Sequence, residues 1–302
     1  MNAHLIGTVG ENLTRDRWLE LRKLGIGGSD APAIVGASEW SSPMSLFLDK
    51  LGLVEPKEVN EAMEWGSRLE SVVIDKTEEV TGHKVLCRQG FFAHADYPWM
   101  LATVDGLIMD GDEQGLYEGK TTGAWRAKAW KDDVPLNVWV QTQHDMAVMD
   151  LPWALVAVLI GGNHYENHHI VRDDAYIAQL IALERGFYEH HLVPQVPPAI
   201  DGTKASEDAL KLLYPEDDGS SVVLEDEAAE ALARDYLICT ATEKKVAAEK
   251  RRCANALKAL LGEAKRATIG RHTVTWPTIE REAYTVKASS YRKLDVREAQ
   301  DE

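Results

Sequence analysis

The chain has 302 residues, 45% of them hydrophobic, enough to bury one large core or two modest ones. Its formal charge of −16 excludes coating of a nucleic acid by bulk electrostatics, which needs many Lys and Arg on one face, so any polyanion site must be local. No apolar run approaches the ~20 residues of a membrane span, and Met1-Asn2-Ala3-His4 offers no charged leader before an apolar stretch, so a soluble protein of the cytoplasm with no membrane partner is expected.

Residues 14–24 read as a helix carrying Trp18 and Leu21, which runs into Gly25-Ile26-Gly27-Gly28-Ser29-Asp30 before a second helix over 31–35. Backbone N–H groups of such a glycine turn, with the positive end of the next helix, make an anion pocket; Ser29 at the expected N-cap adds a hydroxyl and Arg22 completes a phosphate clamp. The plainer alternative is a Ser-capped helix after a flexible turn. A helix over 43–51 follows, then a long one over 58–81 whose stripe Ala62, Trp65, Leu69, Val72, Val73 and Val80 is expected to pack inward. Glu70 borders that stripe and is a candidate third acid for a metal site; the alternative is a solvent-facing helix acid.

A strand is expected over 85–93. Residues 101–108 and 115–121 then form a predicted hairpin across Asp110-Gly111-Asp112-Glu113-Gln114-Gly115. Side chains two apart on a strand share a face, so Glu118 and Lys120 point the same way, and Asp105 on the neighbouring strand can face them. Two carboxylates able to bind Mg²⁺ beside a lysine are the parts of a phosphodiester hydrolase. The bare D…ExK pattern is weak, because chance matches occur in solvated hairpins.

Residues 124–130 read as a helix broken near Pro135, and 138–149 as another. Gln141 and Gln143 lie on different faces of the latter; Gln143 shares the apolar face of Trp139, Val140, Met146 and Ala147 and is read as aimed inward, to a metal-bound water or a phosphate oxygen. A second hairpin, 153–160 and 165–171, precedes a helix over 174–191. Pro194-Gln195-Val196-Pro197-Pro198 reads as a stiff linker, which gives a core domain 1–198 and an extension 199–302 built of one long helix, 225–261, and a β pair, 268–276 with 279–286. The three cysteines Cys87, Cys239 and Cys253 make neither a disulfide framework nor a zinc or iron–sulfur set, and the adjacent pairs His168-His169 and His190-His191 each point two ways and receive no role.

At Arg22…Gly27-Gly28-Ser29-Asp30, Trp65-Gly66-Ser67-Arg68-Leu69-Glu70, Val104-Asp105-Gly106…Glu118-Gly119-Lys120 and Val140-Gln141-Thr142-Gln143-His144, the chain resembles the YqaJ-like viral recombinases, relatives of phage lambda exonuclease within the restriction-endonuclease-like PD-(D/E)xK superfamily. The ordered series covers roughly residues 14–192, with Val104 where the superfamily has proline and Ala147 where an aromatic is common. The resemblance implies an α/β restriction-endonuclease-like core with a mixed central sheet flanked by helices. It implies Asp105 and Glu118 as paired metal ligands beside the Gly119 carbonyl, Glu70 as the acid supporting a second metal, Lys120 as the catalytic lysine, Gln143 as the glutamine of the following helix, and Arg22 with Ser29 as the grip on a 5′-phosphate. It further implies two Mg²⁺ per site, with Mn²⁺ as a substitute, and 5′-to-3′ digestion of linear double-stranded DNA that leaves 3′ overhangs for phage-type recombination. The partners it implies are a ring-shaped homotrimer and a single-strand annealing protein. The rival expectations are an endonuclease of the same fold in repair or defence, and an inactive DNA-binding or interaction module that docks through the long helix.

Overall fold

In the computed structural model, residues 3–54, 60–283 and 291–297 are described. The chain forms two compact units, Met1–Leu213 and Tyr214–Glu302.

The first unit is mixed α/β, as expected, but holds two sheets rather than one. In chain order it runs β1 (Ala3–Thr8), α1 (Arg15–Arg22), β2 (Ile26–Gly27), α2 (Ala31–Ile34), α3 (Pro43–Lys50), α4 (Glu61–Thr81), β3 (Val85–Leu86), β4 (Gly90–His94), β5 (Met100–Val104), β6 (Gly106–Asp110), β7 (Glu113–Thr122), a 3₁₀ segment (Ala124–Trp130), α5 (Leu136–Met149), β8 (Trp153–Ile160), β9 (His164–Val171), α6 (Asp174–Phe187), a π turn (Tyr188–Leu192) and α7 (Lys204–Leu213). One sheet has the order β1-β4-β5-β2 and the other β3-β6-β7-β8-β9. All neighbours are antiparallel except β2 with β5 and β7 with β8, which are parallel.

Two strands expected to be continuous are broken, and each break is a crossing from one sheet to the other. The predicted strand 85–93 splits into β3 and β4 because Cys87 (φ 49°) and Gln89 (φ 56°) take left-handed backbone, which ends a ladder. The predicted strand 101–108 splits at Asp105 into β5 and β6. The crossings at Gln89 and Asp105 meet, with Gln89 Nε2 3.4 Å from Asp105 Oδ1. An acid therefore stands where two sheets part, a place where the backbone leaves room for a cleft.

β8 alternates strictly, because both of its faces are covered. Ala154, Val156, Val158 and Ile160 join Val138, Met146 and Ala147 of α5 in the main core. Leu155 and Ala157 join Val73 and Ile74 of α4 on the other side. The same alternation in β7 sends Leu116 to the α5 face and Tyr117 to the α4 face, so Glu118 and Lys120, two and four residues after Leu116, share the α5 face.

Several expectations change here. The inward stripe of α4 is wrong in register: the face that packs on the sheet is that of Val73, Ile74 and Thr77, which are buried, while Trp65, Val72 and Val80 are each more than half exposed. The expected start of this helix at Glu58 lies outside the described residues. The N-cap of α2 is Asp30, not Ser29, and its carboxylate binds other partners. The first unit extends past the boundary expected at 198, because α7 packs on α3 and Ser206 Oγ donates to buried Ser42 Oγ at 2.9 Å.

In the second unit, α8 (Glu227–Leu261) is a long helix capped by the Asp226 side chain and ended by Gly262. Strands β10 (Arg266–Ile269) and β11 (His272–Thr275) form a tighter pair than expected, turning at Gly270 (φ 58°); residues 279–283 are irregular, and 284–286 lie outside the described residues.

Candidate active site

A cleft of about 750 Å³ lies in the first unit, lined by the α1–α2 region, the first half of α4, residues of β4, β5 and β7 with Asp105, and α5. Asp105, Glu118, Gly119, Lys120, Glu70, Arg22 and Ser29 all line it; Gln143 does not. Long-range packing has thus gathered residues from four separated stretches.

Glu118 is almost wholly buried, and one of its oxygens, Oε1, takes two donors: the Lys120 ammonium, and Gln141 Nε2 at 2.8 Å. Gln141 Oε1 in turn accepts from Lys120 Nζ at 3.1 Å. Lys120, Glu118 and Gln141 thus close a three-membered ring of hydrogen bonds. The site glutamine is Gln141 and not Gln143, which corrects the expectation above. Gln143 is fully buried on the opposite side of α5, where it donates to Val171 O and accepts from Asp173 N, each at 2.9 Å, and so ties α5 to the end of β9. The two glutamines do face apart, as the helical period requires. Ten of the fourteen residues of α5 are buried, however, so apolar company does not say which face meets the cleft.

Asp105 Oδ2 accepts from the Gly119 N–H at 2.9 Å, which holds the acid against the strand that carries Glu118. Gln89 Nε2 donates to Glu70 Oε1 at 2.6 Å and reaches toward Asp105, so one amide links the α4 acid to the sheet acid. Neither Gln89 nor Asp145 was singled out in the sequence. Asp145, one helical turn beyond Gln141, lines the cleft with its buried Oδ1 unpartnered among the described residues. A Cβ on Gly28 would sit 2.3 Å from that oxygen, so only glycine lets the Gly27–Ser29 turn close against α5.

The acids repel one another. Burial, then the nearby Glu118 charge, raises the Asp105 carboxyl well above the usual carboxylate range despite Lys120. Burial also raises Glu70, against the hydrogen bond from Gln89 and with help from Glu118. Asp145 is pushed up to about 8, chiefly by burial. Burial works against the charge of Lys120, but Glu118 and Asp105 outweigh it and hold the ammonium protonated above the usual lysine range. Lys120 is consequently a donor and a positive charge at neutral pH, and not a proton acceptor.

Such a set suits a hard cation. Among the described residues no three His, Cys, Asp or Glu side chains alone stand close enough to cage a metal. Two carboxylates, Asp105 and Glu118, beside a backbone carbonyl at Gly119, with other positions left to water, are a donor set Mg²⁺ accepts. Uncompensated charge on crowded carboxylates is what such an ion relieves.

Also in the cleft lining, Arg22 packs its guanidinium 5.2 Å from the Trp18 ring centroid and lies 3.5 Å from Asp30 Oδ1. Asp30 accepts from the Gly27 N–H at 2.8 Å and from buried Lys50, which also donates to Arg22 O at 2.8 Å. Burial alone would raise the Asp30 carboxyl; Lys50 and Arg22 outweigh it and hold it below the usual range, so it stays ionised and fixes the turn. Ser29 is exposed and lines the cleft with Arg22, which adds a cation and a hydroxyl to a site rich in acids.

Comparison with known proteins places the chain in a family. Residues 17–152 match the YqaJ-like viral recombinase domain family. The chain is 33% identical over 271 residues to the protein YqaJ of Bacillus subtilis (strain 168), covering 88% of this chain and 84% of that protein. The fold resembles the crystal structure of LHK-Exo in complex with dAMP, with a TM-score of 0.50 at 23% identity, over 58% of this chain and 91% of that one. The alkaline exonuclease (LHK-Exo) from Laribacter hongkongensis gives a TM-score of 0.48 at the same identity and coverage.

Proposed function

This chain belongs to the YqaJ-like viral recombinase family, and on that premise we propose that it is a Mg²⁺-dependent exonuclease that digests one strand of linear duplex DNA from its 5′ end. The 3′ single strand left behind would feed annealing in recombination. The observation that carries this reading is the closed ring of Lys120, Glu118 and Gln141 beside Asp105, in one cleft with Arg22 and Ser29.

Asp105, Glu118 and the Gly119 carbonyl would hold one Mg²⁺, with Glu70, linked through Gln89, supporting a second. When bound, Mg²⁺ supplies polarisation of the phosphate and a water of lowered pKa, for which Mn²⁺ is an expected substitute. Lys120, kept charged by its neighbours, donates to the oxygen on which negative charge grows. Gln141 holds Lys120 and Glu118 in register, so the ammonium does not collapse onto one carboxylate oxygen alone. Arg22, the Ser29 hydroxyl and the glycine-turn amides bind the terminal 5′-phosphate, which confines an acidic protein to DNA ends. Asp30 and Lys50 keep that turn shaped from beneath.

The same reading carries a ring-shaped homotrimer around the duplex and a single-strand annealing protein as partner, testable by solution mass and by co-purification. The nuclease itself is tested by incubating linear duplex and covalently closed circular DNA with Mg²⁺. Loss of the linear DNA alone supports it. Cutting of the circle would make the protein an endonuclease, and cleavage of neither would leave a DNA-binding module.

A further inference from the structure

At the rim of the cleft, Trp40, Arg126 and Trp125 are stacked in a row. The Arg126 guanidinium lies 4.6 Å from the Trp40 ring centroid and 5.1 Å from that of Trp125, and it is ion-paired to Glu39. Trp125 is 82% exposed although it lies in the first turn of the 3₁₀ segment whose other end, Trp130, is sunk in the main core. The exposure is built in: a Cβ on Gly123 would lie 2.5 Å from Trp125 Nε1, so the glycine leaves the space the indole occupies. An aromatic ring on a core-anchored turn and backed by a paired arginine is a flat face, open on one side.

We infer that Trp125, backed by Arg126 and Trp40, is a stacking platform for an unpaired nucleobase of DNA held in the cleft. The inference rests on the nuclease reading and adds a site to it. Three observations choose this occupant. Trp40 and Thr121 line the same cleft as Lys120, so the platform continues the site. Five residues of chain from Lys120 to Trp125 reach at most about 17 Å when extended, some five base steps of ~3.4 Å, so the strand at the site passes within range. The charge of Arg126 is answered by Glu39, which leaves the row little pull on phosphate and favours a flat π face. Within a duplex the bases are already stacked; only an unpaired one offers a free face. Stacking of this kind contributes attraction that a chain of net charge −16 does not obtain from bulk electrostatics.

The test uses the full chain with Lys120→Ala, so that DNA stays intact, and duplexes with a 3′ overhang carrying 2-aminopurine at the first unpaired positions; wild-type cleavage is assayed in parallel. The fluorescence is expected to be quenched on binding. Adding Trp125→Ala is expected to abolish the quench and weaken binding of the overhang duplex about tenfold, equally at low and high salt, with little effect on a blunt duplex. Trp125→Phe is expected to keep most of the quench. An unaltered quench and affinity in the Trp125→Ala protein, with wild type active, would overturn the platform and leave the nuclease standing. Absence of both binding and cleavage by wild type would overturn the two together.

Discussion

Gln141 donates to Glu118 at 2.8 Å across the gap between α5 and β7, while Gln143, two residues on, turns its amide to the far side of the helix. Gln141→Ala is therefore expected to lower Mg²⁺-dependent cleavage about 10²-fold, in the range of losing one positioned donor, with little change in unfolding temperature. Gln143→Ala is expected to do the reverse. It removes both hydrogen bonds of a fully buried amide, to Val171 O and from Asp173 N, and costs about 1–3 kcal/mol in a denaturant titration, while the rate per folded molecule is kept.

Asp105 is a carboxylate pushed toward its neutral form by burial and by Glu118. Asp105→Asn removes that repulsion, so without metal the variant is expected to melt no lower than wild type, and to be inactive. Added Mg²⁺ raises the melting temperature of a protein that binds it only when folded, by mass action. Calorimetry should show that rise in wild type and not in Asp105→Asn; an equal rise in both would remove Asp105 from the metal set.

Arg22 and Ser29 line the same cleft as the acids. On DNA ending in a 5′-phosphate, Arg22→Ala is expected to slow the first cleavage about 10- to 100-fold, to near the wild-type rate on 5′-hydroxyl ends, as loss of a charge-assisted contact implies. Steady-state digestion of the two substrates by the two proteins measures this, and a uniform loss on both would make Arg22 a general backbone contact instead.

His144 is buried with both ring nitrogens facing acceptors, Glu184 Oε1 at 2.7 Å and Leu101 O at 2.9 Å, an arrangement that suits only the doubly protonated ring. Burial opposes that charge, but Glu184 outweighs it and raises the histidine to about 9. A folded pKa above the unfolded value near 6.5 means that the stabilisation is full below about pH 6.5 and is lost as pH rises through about 9. The unfolding free energy is expected to fall between pH 7 and 10 by a few kcal/mol at most, and Glu184→Gln should flatten that slope.

The sequence carries most where a local rule applies. Glu118 and Lys120 share a face because a strand alternates, and the acid pair with its lysine was legible for that reason. Gln89 was not, because its place depends on left-handed backbone at a crossing between two sheets, which no local pattern announces. Strand β2, two residues long, exists only through its pairing with β5. Period alone separated Gln141 from Gln143, yet choosing between them required knowing what lay against each face of an almost wholly buried helix. The inward stripe of α4 failed for a related reason: the sheet takes the face of Val73, Ile74 and Thr77, Met63 borders the cleft, and Trp65 is left exposed.

The most direct test is strand polarity. Linear duplex labelled at the 5′ terminus of one strand, or at its 3′ terminus, is digested with Mg²⁺ by wild type and by Lys120→Ala. Early release of the 5′ label as mononucleotide, late release of the 3′ label, and no release by the variant or without Mg²⁺ are the expected results. Release of the 3′ label first, or undiminished release by Lys120→Ala, would contradict a 5′-end exonuclease built on the Lys120–Glu118–Gln141 ring.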